Sequence, residues 1–267
     1  MKIYKVLSLY INSLKHVKYS LLIPLFVIVL IMIVRIKQLL SVDAPFILSV
    51  WDYVSGLTGG GTANAPMLVY VVIPLFTFMI VRYIDGEEVP VRVIKHVTRK
   101  RLWDKHVLFI VYLSLVISFI VVCVGYLLSG IMIEDFSNEW TNKSGAFYYF
   151  LKDKENFEIY AQNLTTLRVM LILFLVKFFS LVTLGTLIAL LKAIIHNNVL
   201  IYMMIIMYSL VEGYFPNFSF IITRMAVTGE NWKNISSIFE NQFYLLLSFV
   251  FFYFVGKVIY RKKDFSI

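Results

Sequence analysis

Cysteine is nearly absent: the single Cys123 lies inside a hydrophobic run, so no intrachain disulfide and no thiol-based metal pair can be built from it. Charge is scarce too, at 15% of residues against about 25% in an average globular chain. The period-two alternation that would mark a membrane barrel is missing as well. So is any Walker motif. The triplet Gly59-Gly60-Gly61 has no Lys-Ser or Lys-Thr after it and no strand before it, which makes it a flexible loop and not a phosphate cradle.

What is present is apolar surface: 60% of the 267 residues are hydrophobic and 16% aromatic, with a mean hydropathy of +0.81. A soluble domain of this size could not hide that much. The apolar residues fall into runs of roughly 15 to 27 with at most one charge, and about 20 are needed for a helix to cross a bilayer. Backbone groups in lipid must be satisfied within the segment, so such uniform runs are helices. The expected fold class is an all-α polytopic membrane protein forming one transmembrane domain over residues 1–267.

Six crossings are expected, at residues 19–40, 66–82, 107–133, 167–191, 199–211 and 242–260, with five as the alternative count. Ahead of them, Ile3, Val6, Leu7, Tyr10, Leu14 and Val17 share one face while Lys2, Lys5, Asn12, Lys15 and His16 occupy the other. Residues 1–18 therefore read as an amphipathic helix lying on the membrane surface. The alternative is the basic n-region of a signal peptide, but Arg35 and Lys37 follow the apolar run and no small-x-small cleavage site does. Residues 134–166 form a polar outer loop whose aromatic clump, Phe147 to Phe150, marks an interface-seated helix. After Glu212-Gly213 and Pro216 the chain stays uncharged up to Thr223, which suggests an outer re-entrant or interfacial helical hairpin within residues 212–241.

The net charge of +9 does not imply a nucleic-acid partner, because the basic residues sit at helix ends. Sixteen Lys and Arg fall on the side of the N-terminus and eight on the other, with Lys177 left inside a crossing. The positive-inside rule then places both termini in the cytoplasm of a multi-pass cell-membrane protein.

Seven of the basic residues belong to residues 82–106, RYIDGEEVPVRVIKHVTRKRLWDKH, with residues 85–106 forming a cytoplasmic loop. Within it Glu87, Glu88 and Arg92 spell EExxxR, the first motif of CAAX-type membrane proteases, whose paired carboxylates activate water. That chemistry needs partner histidines, usually as FxxxH, and no histidine here has Phe four residues before it. A short helix over residues 88–100, acidic at its start and basic at its end, suits the helix dipole better. The following residues place Trp103 at interface depth.

This arrangement resembles the permease subunits of the second ABC exporter superfamily. The resemblance rests on Arg82, Gly86 and the Thr98-Arg99 to Lys105 pattern, preceded by two crossings and followed by four. It implies a coupling helix between crossings two and three, a dimer of identical or homologous permeases, and two separate ATPase subunits that hold ATP and Mg, with no cofactor and no catalytic site on this chain. Glu88, Val91, Arg92, Lys95 and Arg99 would contact the ATPase; Lys100, Arg101, Trp103 and Lys105 would anchor the loop at the lipid surface. Lys177, Glu212, Gly213 and Pro216 would line the translocation path or its outer gate; for Lys177 a structural or snorkelling role, such as pairing with a helix carbonyl, is the favoured alternative, and for Glu212 headgroup contact weighs the same as the gate. The cargo expected is a hydrophobic or amphipathic peptide. The other class considered is a non-transporting membrane immunity or scaffold protein.

Overall fold

The computed structural model describes residues 18–56, 61–89, 99–215 and 219–263. Nearly every long apolar run becomes a helix: α1 (Lys18–Leu40), α3 (Ala65–Glu87), α4 (Arg99–Ile133), α7 (Thr166–Ile194) and α9 (Ser236–Lys262). These five are long and apolar enough to cross a membrane, and the protein is an all-α, multi-pass membrane protein. Shorter helices are α2 (Val50–Ser55), α5 (Ala146–Phe150), α6 (Phe157–Asn163) and α8 (Asn198–Tyr214). Outward faces such as Leu22, Phe26, Leu30 and Val34 of α1, or Phe243, Phe251 and Phe254 of α9, are exposed and apolar, as lipid requires.

Helix α7 is the centre of the bundle and packs against α3, α4, α8 and α9. Its hydroxyls avoid loose polar ends by bonding back four residues, Ser180 to Val176 O, Thr183 to Phe179 O and Thr186 to Val182 O; Thr183 also reaches Leu245 O of α9 at 3.0 Å. Gly185 lets α3 and α4 approach, since a Cβ there would stand 2.5 Å from Ile110 Cγ2.

Two helices run past the ends of their apolar runs. Crossing two continues to Glu87 instead of residue 82, and crossing three starts at Arg99 instead of residue 107. Glu87 and Lys105 in those extra turns pair with each other, and Asp85 and Asp104 pair with lysines of other helices, so these charges do not end the helix. Of the expected coupling helix over 88–100, Glu88 caps α3 and Arg99 and Lys100 open α4, while residues 90–98, with Val91, Arg92 and Lys95, lie outside the described residues. The surface helix expected over 1–18 also lies outside them, apart from Lys18, which opens α1.

Opposite the 88–99 connection, the described loop residues build a folded cap, while Gly59 and Gly60 of the expected flexible loop lie outside the described residues. In α2, Ser49 and Asp52 form a capping box, and Gly56 takes the left-handed conformation (φ 73°) that ends the helix. The chain then doubles back, Thr62 N donating to Tyr53 O and Ala63 N to Val54 O. Thr62 also donates its hydroxyl to Val121 O (2.7 Å), inside a π-helical turn of α4 (Ile120–Val124). Trp51, Trp140, Trp232, Phe147 and Tyr160 form the cap's interior, all buried. Asp52 is buried among them and accepts from Ser49 N (2.8 Å) and Trp140 Nε1 (2.9 Å); loss of water pushes its carboxyl up to about 6. The aromatic clump at 147–150 is thus split, with Phe147 inside the cap and Tyr149 and Phe150 exposed.

Candidate functional site

Two clusters of charge sit within or beside the bundle. At the end where α3 meets α4, Asp85 pairs with Lys192 of α7 at 2.7 Å, and Asn198 at the start of α8 donates to Asp85 at 2.8 Å. Glu87, buried, pairs with Lys105 of α4. Glu88 accepts from Lys263 (2.7 Å) and from the Tyr260 hydroxyl (2.6 Å) at the far end of α9. Tyr260 gives its one proton to that carboxylate, so the His106 Nδ1 facing it at 3.0 Å is protonated and donates. Asp104 pairs with Lys257 at 3.4 Å and accepts from the Tyr253 hydroxyl.

These contacts revise several expected roles. Trp103 is not at the lipid surface: it is fully buried, donates to Tyr253 O (2.9 Å) and lies against Gly256, where a Cβ would come within 2.1 Å of its ring. Lys105 faces Glu87 and not lipid headgroups. Arg101 is exposed and Lys100 half-exposed. Glu87 and Glu88 are not in open solvent, but each is engaged by a lysine, and His106 meets the Tyr260 hydroxyl that donates to Glu88. Among the described residues no three His, Cys, Asp or Glu side chains come together to hold a metal ion.

The second cluster lies deeper. Helix α8 has 17 residues, about 25 Å at 1.5 Å per residue, short of the roughly 30 Å hydrocarbon thickness. It starts level with the end of α7, so it stops near Lys177, itself about 26 Å from Ile194 along α7. Beyond α8 the described chain holds 3-10 turns, Thr223–Met225 and Gly229–Trp232, where a helical hairpin was expected. Irregular backbone at this depth needs partners from protein. Glu212 accepts from Phe220 N (2.6 Å), Thr223 N (3.0 Å) and the Thr223 hydroxyl (2.8 Å). Lys177, 2% exposed, donates to Met225 O at 2.7 Å.

One carboxylate thus satisfies donors and one ammonium an acceptor of the same six-residue stretch, from two different helices. A third helix joins in: Arg224 bonds Asn241 of α9 and lies 4.0 Å from the Tyr244 ring, while Phe220 meets the same ring edge-on at 6.0 Å. Gly213 is in the last turn of α8, and Pro216 lies outside the described residues. Sequence reasoning singled out Lys177 and Glu212 but missed Asp85, Asp104, Arg224, Tyr260 and Lys263. The available signal was that each ends an apolar run or, for Arg224, closes the uncharged stretch after Glu212. No protein-family model, curated protein or solved structure matches the chain.

Proposed function

We propose that this chain is the membrane-spanning subunit of an ATP-driven exporter of the second ABC superfamily type, moving a hydrophobic or amphipathic peptide. In this reading it crosses six times, counting α8 together with the irregular segment after it as one broken crossing. Both termini and the 85–106 loop are cytoplasmic, and the chain works as a permease dimer on two separate ATPase subunits. The observation that carries it is the broken crossing itself. Interrupted helices with buried charges at the break are a recurrent construction of transport sites, because an unwound segment is able to change partners where a continuous helix is not.

The ion-pair network supports the coupling step. Force on residues 90–98 enters α3 and α4. Glu88–Lys263 and the seat of Trp103 on Gly256 pass it to α9. Helix α9 holds Arg224 through Asn241 and Tyr244, so its movement pulls on the 219–225 stretch that Lys177 and Glu212 fix. No residue of the chain performs covalent chemistry in this scheme.

The test is co-purification. In mild detergent the tagged chain is expected to bring down an untagged Walker-containing ATPase, and reversing the charges of Arg92, Lys95 and Arg99 together is expected to release it. A chain that purifies alone from native membranes overturns the proposal.

A further inference from the structure

Residues 147–152 and the turn at 228–230 face each other across a cavity of about 280 Å³ in the cap. Its floor is Phe147 and Leu151, both buried, and half-exposed Phe150 forms one edge. The opposite wall, Thr228 to Glu230, is open at its centre: a Cβ on Gly229 would meet only Phe147 Cε2, at 4.0 Å. Lys152 and Glu230 stand at the mouth 3.9 Å apart, with 89% and 75% of their side chains exposed. That separation is the outer limit of an ion pair, and exposed pairs of this kind separate readily.

The walls are fixed before anything binds. Thr228 and Asn231 form a capping box around the turn, Asn163 donates to Trp232 O at 2.9 Å, and Phe147 packs on Trp140, which packs on Trp232. Behind the mouth, Lys233 pairs with Asp153 and holds its carboxyl below the usual range. An apolar floor with one cation and one anion at its rim is complementary to a ligand of matching pattern. The volume is at the small end of ligand sites, which run from about 300 Å³, and it admits one side chain or headgroup, not a folded peptide.

The geometry points to a binding site for a zwitterionic group carrying an apolar moiety, its ammonium on Glu230, its carboxylate or phosphate on Lys152, and its apolar part against Phe147, Phe150 and Leu151. Two sources share this chemistry: a free apolar amino acid and the ethanolamine headgroup of a phospholipid. The rings of half-buried Phe46 and exposed Tyr149 and Phe150, in tilted and edge-to-face contact at 4.9 to 5.3 Å between centroids, place an aromatic surface beside the mouth. The site is independent of the transport reading.

The experiment follows tryptophan fluorescence of the whole chain in nanodiscs of phosphatidylglycerol, since Trp140 packs on Phe147 and Trp232 on Trp140. L-Phenylalanine is titrated in one arm; in the other, phosphatidylethanolamine replaces part of the lipid in steps. A saturable change in the first arm assigns a free amino acid, and one in the second assigns the lipid headgroup. In either case Gly229→Leu, which fills the cavity, abolishes the change, while Gly229→Ala keeps it and both melt as the parent does. Lys152→Glu or Glu230→Lys weakens it about fivefold, and the two together restore it. No saturable change in either arm, or one that survives Gly229→Leu, overturns the site.

Discussion

Where α3 meets α4, the carboxylates Asp85, Glu87, Glu88 and Asp104 each meet a lysine carried by a different part of the bundle. At the far end of α8, Glu212 and Lys177 aim their charge at the backbone of residues 220–225. The first arrangement registers helices that are already complete and tolerates exchange of one pair for another. The second holds irregular backbone, so each charge answers for groups that no helix satisfies. Removing a charge is therefore expected to hurt much more at the end of α8 than at the ion-paired end.

The strongest test of that contrast is Glu212→Ala, which leaves two backbone amides and one hydroxyl without their acceptor. A loss of about 3 kcal/mol or more is expected, with rapid hydrogen exchange confined to residues 219–225. Glu212→Gln keeps one acceptor oxygen and is expected to lose less than half of that. Equal losses from the two variants would show that the negative charge, and not the hydrogen bonds, holds the segment.

The cap gives a second handle, of about 2–3 kcal/mol. Burial raises the Asp52 carboxyl from 3.8 to about 6, so the folded cap binds its proton more readily than the unfolded chain does. Its contribution is greatest below about pH 4, falls as pH rises through 6, and is flat above. Exchange protection of the cap amides is expected to be higher at pH 5 than at pH 8, with α7 unchanged. Asp52→Asn is expected to flatten that dependence; a dependence that persists would place its origin elsewhere.

At the ion-paired end, Asp85→Lys sets two ammonium groups against each other beside Asn198 and is expected to cost about 1–2 kcal/mol, because Asp85 is one-third exposed. Adding Lys192→Asp is expected to recover most of it in a double-mutant cycle. Failure to recover would mean that this end, too, depends on contacts no swap can rebuild.

The sequence made α7 legible almost to the residue, 167–191 against Thr166–Ile194, because hydropathy alone defines a helix that is apolar nearly all round. It misplaced the α3 and α4 ends because a charge reads as a stop unless its partner is known, and the partners Lys263 and Lys192 lie far along the chain. Trp103 beside Arg99–Arg101 looks like an interface residue; what buries it is a slot at Gly256, and nothing local announces that. Glu212-Gly213 did mark the end of α8. Which amides Glu212 holds depends on the reversal after it, and that is set by Arg224 and Tyr244 on α9, not by local propensity.

The smallest effect is expected at Lys257. Its Nζ stands 3.4 Å from Asp104 and 2.8 Å from the Tyr253 hydroxyl, and both charged partners reach solvent. Tyr253 donates to Asp104 at 2.7 Å without help from the lysine, so Lys257→Gln leaves Asp104 an internal donor and leaves water to satisfy the rest. Exposed pairs of this geometry contribute little and are screened by salt. No resolvable change in melting temperature is expected, at low ionic strength or at high. A clear loss that vanishes in salt would mean that the ion pairs of this end act as one network and not as separate contacts. The contrast with the end of α8 would then be between a cooperative lattice of charges and a latch on backbone, and Asp85→Lys with Lys192→Asp would be expected to recover less than a simple swap of isolated pairs allows.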